Sequence, residues 1–308
     1  MKTVYLHIGT HRTGSTSIQR FLARAEDALA ERGVIYPKTG RPDTEWSNRY
    51  GHHVLHWSLV GKHGVTSDRV WKDLEDEISC RKGGRVVLSA EGFEGEGSDE
   101  EPHIRRTVEH LAPYPIQVIV YLRPPLQFLT SVYKKRVEMG TWSGSFTSLI
   151  DGMSARCNYG ALVSRWEHFD RVQSVDIRLF EKVKESPGLE ADFAEAIGVS
   201  PGELKQFFGT PVNASPPAER IQVVRWINRI GDVGPEGETW QTLTNRARQN
   251  VLGRRWPGRW LVRLSRPFLR DTIVTERGAD LLRDRLEDVH RHFLEDYIPF
   301  EDRKYLRC

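Results

Sequence analysis

YLHIGTHRTGSTSIQRFL, residues 5–22, is the stretch on which the reading of this chain turns. A short run of strand-forming residues breaks into Gly, Thr and Ser. Apolar residues then resume at helical spacing. Gly9, Gly14 and Thr16 fall in the frame of a phosphate-binding loop: a glycine, four residues, a second glycine, a lysine, then Ser or Thr. Ser15 stands at the lysine position, and the cation inside the loop is Arg12. A turn of this kind presents backbone N–H groups and a helix N-terminus, which together make an anion site. In a nucleoside triphosphatase the lysine reaches the β- and γ-phosphates, so a triphosphate loses its main counter-charge here. Arg12 can instead pair with one phosphate through two parallel hydrogen bonds. The plainer alternative is a turn that only caps its helix.

Outward from the loop, the pattern repeats. TVYLHIG, GVIYP, GGRVVLSAE, PIQVIVYLR and SVDIRLFE read as five short strands. STSIQRFLARAEDALAERG, ending at Gly33, FLTSVYKKRVE and YGALVSRWEHF read as helices between or after them. Buried-looking strands alternating with amphipathic helices predict an α/β fold: a parallel β-sheet of about five strands flanked by helices. Residues 38–70, polar and rich in His and Trp, read as an excursion over one sheet edge. From residue 202 the pattern turns mostly helical. The expectation is one domain over 1–308, with an α/β core over 1–201 and a helical C-terminal layer over 202–308.

The chain of 308 residues is long enough for a sizeable core. With 45 basic against 42 acidic residues, the net charge of +3 excludes a bulk polycation, so an anion-binding surface must be local. Nucleic acid is therefore not expected as a partner. Cys80, Cys157 and Cys308 are odd in number and hold no metal spacing; three reduced thiols are expected. No run of about eighteen apolar residues occurs, and the chain enters a strand at once. A cytoplasmic protein is the expectation.

A second element adds specificity. In VIVYLRPPLQFLTSVYKKRV, Arg123 ends a strand and Ser131 lies on the following helix. Ligands of open α/β sheets bind at the carboxyl ends of strands, which puts Arg123 beside the first loop, where Ser131 could share an anion with it. Taken alone, an Arg at a strand end is as often a structural ion pair.

These two elements resemble the 5′-phosphosulfate loop and the 3′-phosphate motif of sulfotransferases that use 3′-phosphoadenosine 5′-phosphosulfate (PAPS). More narrowly, HIGTHRTGSTSIQ is similar to the HIGTPKTGTTSIQ of bacterial carbohydrate-type, heparan-like sulfotransferases. YLRPPLQFLTSVY, YGALVSRWEHF…VDIRLFE and VNASPP also resemble that family, so the likeness spans residues 1–35, 85–135 and 158–217. The resemblance implies a fold like that of the phosphate-loop nucleoside triphosphatases. It implies PAPS as donor and adenosine 3′,5′-bisphosphate as product, with no metal required. Thr13, Gly14, Ser15, Thr16 and Ser17, with Arg12, would hold the 5′-phosphosulfate; Arg123 and Ser131 would hold the 3′-phosphate. The loop lysine of the family is Arg12 here, which keeps the charge and the donors.

Sulfuryl transfer is served by positioning and electrostatics, as phosphoryl transfer is, and a hydroxyl acceptor needs a general base. Glu91, closing the strand VVLSAE, is the first choice, since the family carries a Glu in a similar position. A surface Glu opening the acidic loop 91–102 is the bland alternative. His53, with His52 and His56 in YGHHVLHWSL, is the second candidate and would line the acceptor pocket; a solvated or core histidine is the commoner outcome. The acceptor implied is a hydroxyl of a glycan or glycolipid. GRRWPGRWLVRLSRPFLR (253–270) reads as a lid, a peripheral membrane contact or a homodimer surface. Two other functions compete: a kinase or nucleotidase with a degenerate loop, and a non-catalytic nucleotide-binding subunit.

Overall fold

The computed structural model describes residues 1–43, 49–65, 68–95, 100–209, 216–234, 238–253 and 273–307. Cys308, most of VNASPP and all but the first residue of 253–270 lie outside these. The chain divides into two units. The first comprises Met1–Arg123, Asn158–Val212 and His292–Leu306; the second comprises Pro124–Cys157, Asn213–Arg291 and Arg307–Cys308. Of the region after residue 202, 213–291 is thus grouped with 124–157, while 202–212 and 292–306 stay with the first unit.

Five strands lie where the alternation predicts them: β1 (Thr3–His7), β2 (Val34–Ile35), β3 (Arg85–Ser89), β4 (Ile116–Leu122) and β5 (Val172–Leu179). They form one sheet in the order β2-β3-β1-β4-β5, and every pairing is parallel. The chain leaves β1 towards one edge and crosses back to β4 on the other side. The chain order therefore reverses beside β1, where open sheets of this kind bind ligands.

The first unit also holds α1 (Ser15–Arg24), α2 (Glu26–Glu31), α3 (His53–Val60), α4 (Arg69–Cys80) and α5 (Glu100–His110). In the second unit, α6 (Pro125–Met139) and α7 (Phe146–Met153) follow. The chain then returns to the first with α8 (Tyr159–Glu167), α9 (Phe180–Glu185) and α10 (Leu189–Ala196).

Alternation along each strand sends side chains to two layers. Val4 and Leu6 of β1, Val86 and Leu88 of β3, and Val118 and Val120 of β4 pack with Leu55, Trp71, Leu74, Ile104 and Trp166 of the helices. Val87, Ile119 and Tyr121 point the other way, onto Ile18, Phe21 and Leu22 of α1 and Phe193 of α10. Both faces are covered, as a parallel sheet requires. Full burial of each large aliphatic side chain stabilises by about 1.5–3 kcal/mol. The second unit has its own core, built from Phe128, Val132 and Tyr133 of α6, Phe146 and Ile150 of α7, and Ile221, Val224 and Leu282.

One expected helix is two. The pattern from Ser15 to Glu31 breaks at Ala25, whose φ of −92° and ψ of 8° leave the helical region while its N–H still bonds to Phe21. Gly33 follows with φ 71° and turns the chain into β2. The excursion 38–70 contains α3, and Leu55 and Leu59 of that helix are buried in the first layer. Among the described residues no helix is long and apolar enough to cross a membrane, no cluster of ligating side chains could hold a metal, and Cys80 and Cys157 are free thiols.

Candidate active site

The loop between β1 and α1 is held from within. The Ile8 N–H carries the β1 ladder one step further, to Ile119 O at 3.2 Å. Thr10 Oγ1 then donates to the Tyr121 carbonyl at 2.8 Å, and Thr13 Oγ1 donates to the Thr10 carbonyl at 2.6 Å. The Thr13 hydroxyl, expected at the cofactor, is thus spent inside the loop. Gly9, Arg12 and Gly14 all have left-handed backbone, with φ of 76°, 72° and 82°. For Arg12 that conformation costs free energy, and such strain gathers at sites whose surroundings over-determine the backbone. α1 begins with no side-chain cap and no acidic residue in its first turn. Ser15 on that turn is 1% exposed, and its buried hydroxyl has no hydrogen-bond partner among the described residues. A buried, unpartnered donor at an uncapped helix N-terminus suits an anion.

Two carboxylates come from the turn after β3. Glu91 packs on the loop: a Cβ on Gly9 would lie 2.9 Å from Glu91 Cα and 3.2 Å from its Cγ, so only glycine admits this approach. One turn on, Glu94 is buried, and its Oε2 accepts the His11 N–H at 3.1 Å. His53 joins the same group from the start of α3. Burial holds its imidazole below the ordinary histidine range; Glu91 opposes that shift, while His11 and Lys62 add to it. Glu91, His53 and His11 therefore share one electrostatic neighbourhood, and the favoured species is a neutral imidazole beside a carboxylate. His56 lies against Gly92, whose Cβ would fall 2.2 Å from the imidazole Nδ1.

The floor beneath the loop is polar and buried. His7, in register with Ser89 across β1 and β3, places Nδ1 2.8 Å from Ser89 Oγ. His52 acts as a rung of the sheet. Its backbone N–H donates to Ser89 O at 2.7 Å, and its Nδ1 accepts the Ser89 N–H at 3.1 Å. The ring proton then belongs on Nε2, which donates to the Pro37 carbonyl at 3.0 Å. Burial pushes both imidazoles down to about 3. Both are neutral structural groups.

Arg123 follows the end of β4, as expected. Its Nε donates to Glu181 Oε1 at 2.7 Å, and its guanidinium lies over the Phe180 ring at 5.3 Å. Glu181 is shared with Lys184, also at 2.7 Å. Burial raises the Glu181 carboxyl, but Lys184 and Arg123 outweigh it and hold the group below the usual carboxylate range. Ser17 Oγ donates to Glu190 Oε1 on α10 at 2.6 Å. Ser131 is buried on α6 and belongs to the second unit.

The first unit thus brings together Arg12, Gly14, Ser15, Thr16 and Ser17 at the loop, with Glu91 and His53 beside them. Sequence reasoning missed Glu94, Glu181 and Glu190. An acidic residue far along the chain carries no local sign that it will meet this loop.

No family model matches the chain, and no curated protein matches it. Among solved structures, a sulfotransferase from Alicyclobacillus acidocaldarius is similar, at 15% identity and a TM-score of 0.45, over 78% of this chain and 99% of that one. So slight a likeness adds no argument to the geometry.

Proposed function

We propose that the protein transfers a sulfuryl group from PAPS to a hydroxyl acceptor. One observation carries this reading. An uncapped helix N-terminus at the end of the central strand offers a buried, unpartnered Ser15 hydroxyl, and the first glycine of the same loop is packed against Glu91. The loop amides, Ser15, Thr16 and Ser17 hold the 5′-phosphosulfate. Arg12 meets the oxygen bridging phosphorus and sulfur, where charge grows as that bond breaks. The acceptor oxygen attacks sulfur in line, the sulfur–oxygen bond to the phosphate breaks, and Glu91 takes the acceptor proton. Neutral His53 lines the acceptor side. The 3′-phosphate falls to Arg123. A glycan or glycolipid hydroxyl is the acceptor class that the loop sequence suggests.

Thermal unfolding tests this against a degenerate kinase. Adenosine 3′,5′-bisphosphate should stabilise the protein without Mg²⁺. Stabilisation by Mg–ATP and not by the bisphosphate would sink the proposal. Transfer of ³⁵S from labelled PAPS into glycan-containing extracts separates an enzyme from a binding subunit.

A further inference from the structure

The first turn of α1 has no acidic residue of its own, yet a carboxylate reaches it from elsewhere. Glu190, the second residue of α10, accepts the Ser17 hydroxyl at 2.6 Å. Its neighbour Leu189 packs against the loop's second glycine, where a Cβ on Gly14 would lie 2.3 Å from Leu189 Cδ2. The start of α10 is therefore seated at the mouth of the loop, with one residue on its backbone and the next on its serine. Carboxylates favour helix N-termini for the same reason that phosphates do.

We infer, on the reading of the loop as a phosphosulfate site, that Glu190 is its resident anion and sets its affinity. A phosphate entering the loop competes with the Glu190 carboxylate for the Ser17 hydroxyl and meets its negative charge. The Arg24 guanidinium and Glu190 Oε1 flank one point beside Gly209, at 3.0 and 3.6 Å from a Cβ placed there. Glu190 turning from Ser17 towards Arg24 frees the serine and moves its charge away from the donor. The return of the carboxylate to Ser17 weakens the hold on the spent bisphosphate.

The test is calorimetric titration of the full chain with adenosine 3′,5′-bisphosphate, in the parent, Glu190→Gln, Ser17→Ala and the double variant. Glu190→Gln should bind about tenfold tighter, as expected from removing one like charge near the ligand. Ser17→Ala should weaken binding less in the parent, where the ligand must first displace Glu190 from that hydroxyl, than in the Glu190→Gln background. Where Glu190→Gln folds poorly, Glu190→Ala serves with the same expected direction. If Ser17–Glu190 only fastens α10 to α1, the variants lose thermal stability and bind the bisphosphate as the parent does; that result overturns the inference. A parent that binds no bisphosphate overturns the sulfotransferase reading instead. Pyrophosphate titration then reads the competition with Glu190 alone, and equal affinity in parent and Glu190→Gln refutes it.

Discussion

Arg12 joins two features at one residue: a left-handed backbone at φ 72° and the cation of the loop. The two can be separated by substitution. Arg12→Ala should depress kcat far more than bisphosphate affinity, because the proposed contact with the bridging oxygen would strengthen as the bond breaks. Arg12→Lys should keep activity. Arg12→Gly should be as inactive as Arg12→Ala yet about 1 kcal/mol more stable to denaturant, since glycine accepts this conformation without strain. Equal stability of the two would mean that the backbone is not strained there. Glu91→Gln keeps the packing on Gly9 and removes the proposed base, so kcat should fall by about 10²–10⁴-fold while bisphosphate binding is unchanged. An unaltered rate passes that role to His53. Arg123→Ala should weaken bisphosphate binding by on the order of 1.5–3 kcal/mol and shrink discrimination against adenosine 5′-phosphosulfate. If both nucleotides bind the variant as they bind the parent, the Glu181 pairing is the whole of Arg123's role.

At the scale of elements, the site depends on how closely α1 and α10 approach. Gly14 admits Leu189 at a distance no Cβ tolerates, and its own φ of 82° disfavours any side chain. Gly14→Ala should therefore destabilise by on the order of 1–3 kcal/mol and abolish bisphosphate binding as α10 is displaced. Leu189→Ala in that background should restore part of the stability, because it removes the clash and leaves the backbone strain. A double variant no more stable than Gly14→Ala would show that the contact between these helices is not what the glycine serves. His52 is the matching device on the other side of β1. By bonding both to Pro37 and to Ser89, its ring continues the pairing of β2 with β3 beyond the two residues of β2.

The whole molecule should be acid-labile for a stated reason. His7 and His52 are buried neutral, with folded values of about 3 against an ordinary 6.5. Below pH 6.5 the unfolded chain binds protons that the folded chain refuses. The stabilising effect of the neutral imidazoles is complete above that pH and is lost as the pH falls towards about 3. Each group in that window should cost about 1.4 kcal/mol per pH unit. Denaturant midpoints between pH 7 and 4 should fall steeply, and His52→Gln should flatten the dependence even though it weakens the protein at neutral pH. A parent whose stability is level over that range would refute the assignment.

The five strands and the loop between β1 and α1 were legible from residues 5–22 and their echoes along the chain, because alternation and glycine placement are local properties of backbone and burial. The position of Arg123 after a strand end and of Glu91 after β3 followed for the same reason. The break at Ala25 was not legible, since alanine is a good helix former and only packing turns the chain there. Nor were the partners of the site residues. Ser17 meets Glu190 across 173 positions, His11 meets Glu94 across 83, and Arg123 meets Glu181 across 58. The sequence by itself determined an α/β chain with a glycine-rich loop between its first strand and first helix. Only the tertiary structure decided that carboxylates from three other segments already engage that loop and Arg123, because hydrogen bonds and ion pairs between distant segments are chosen by sheet order and helix packing and leave no periodic trace in the chain.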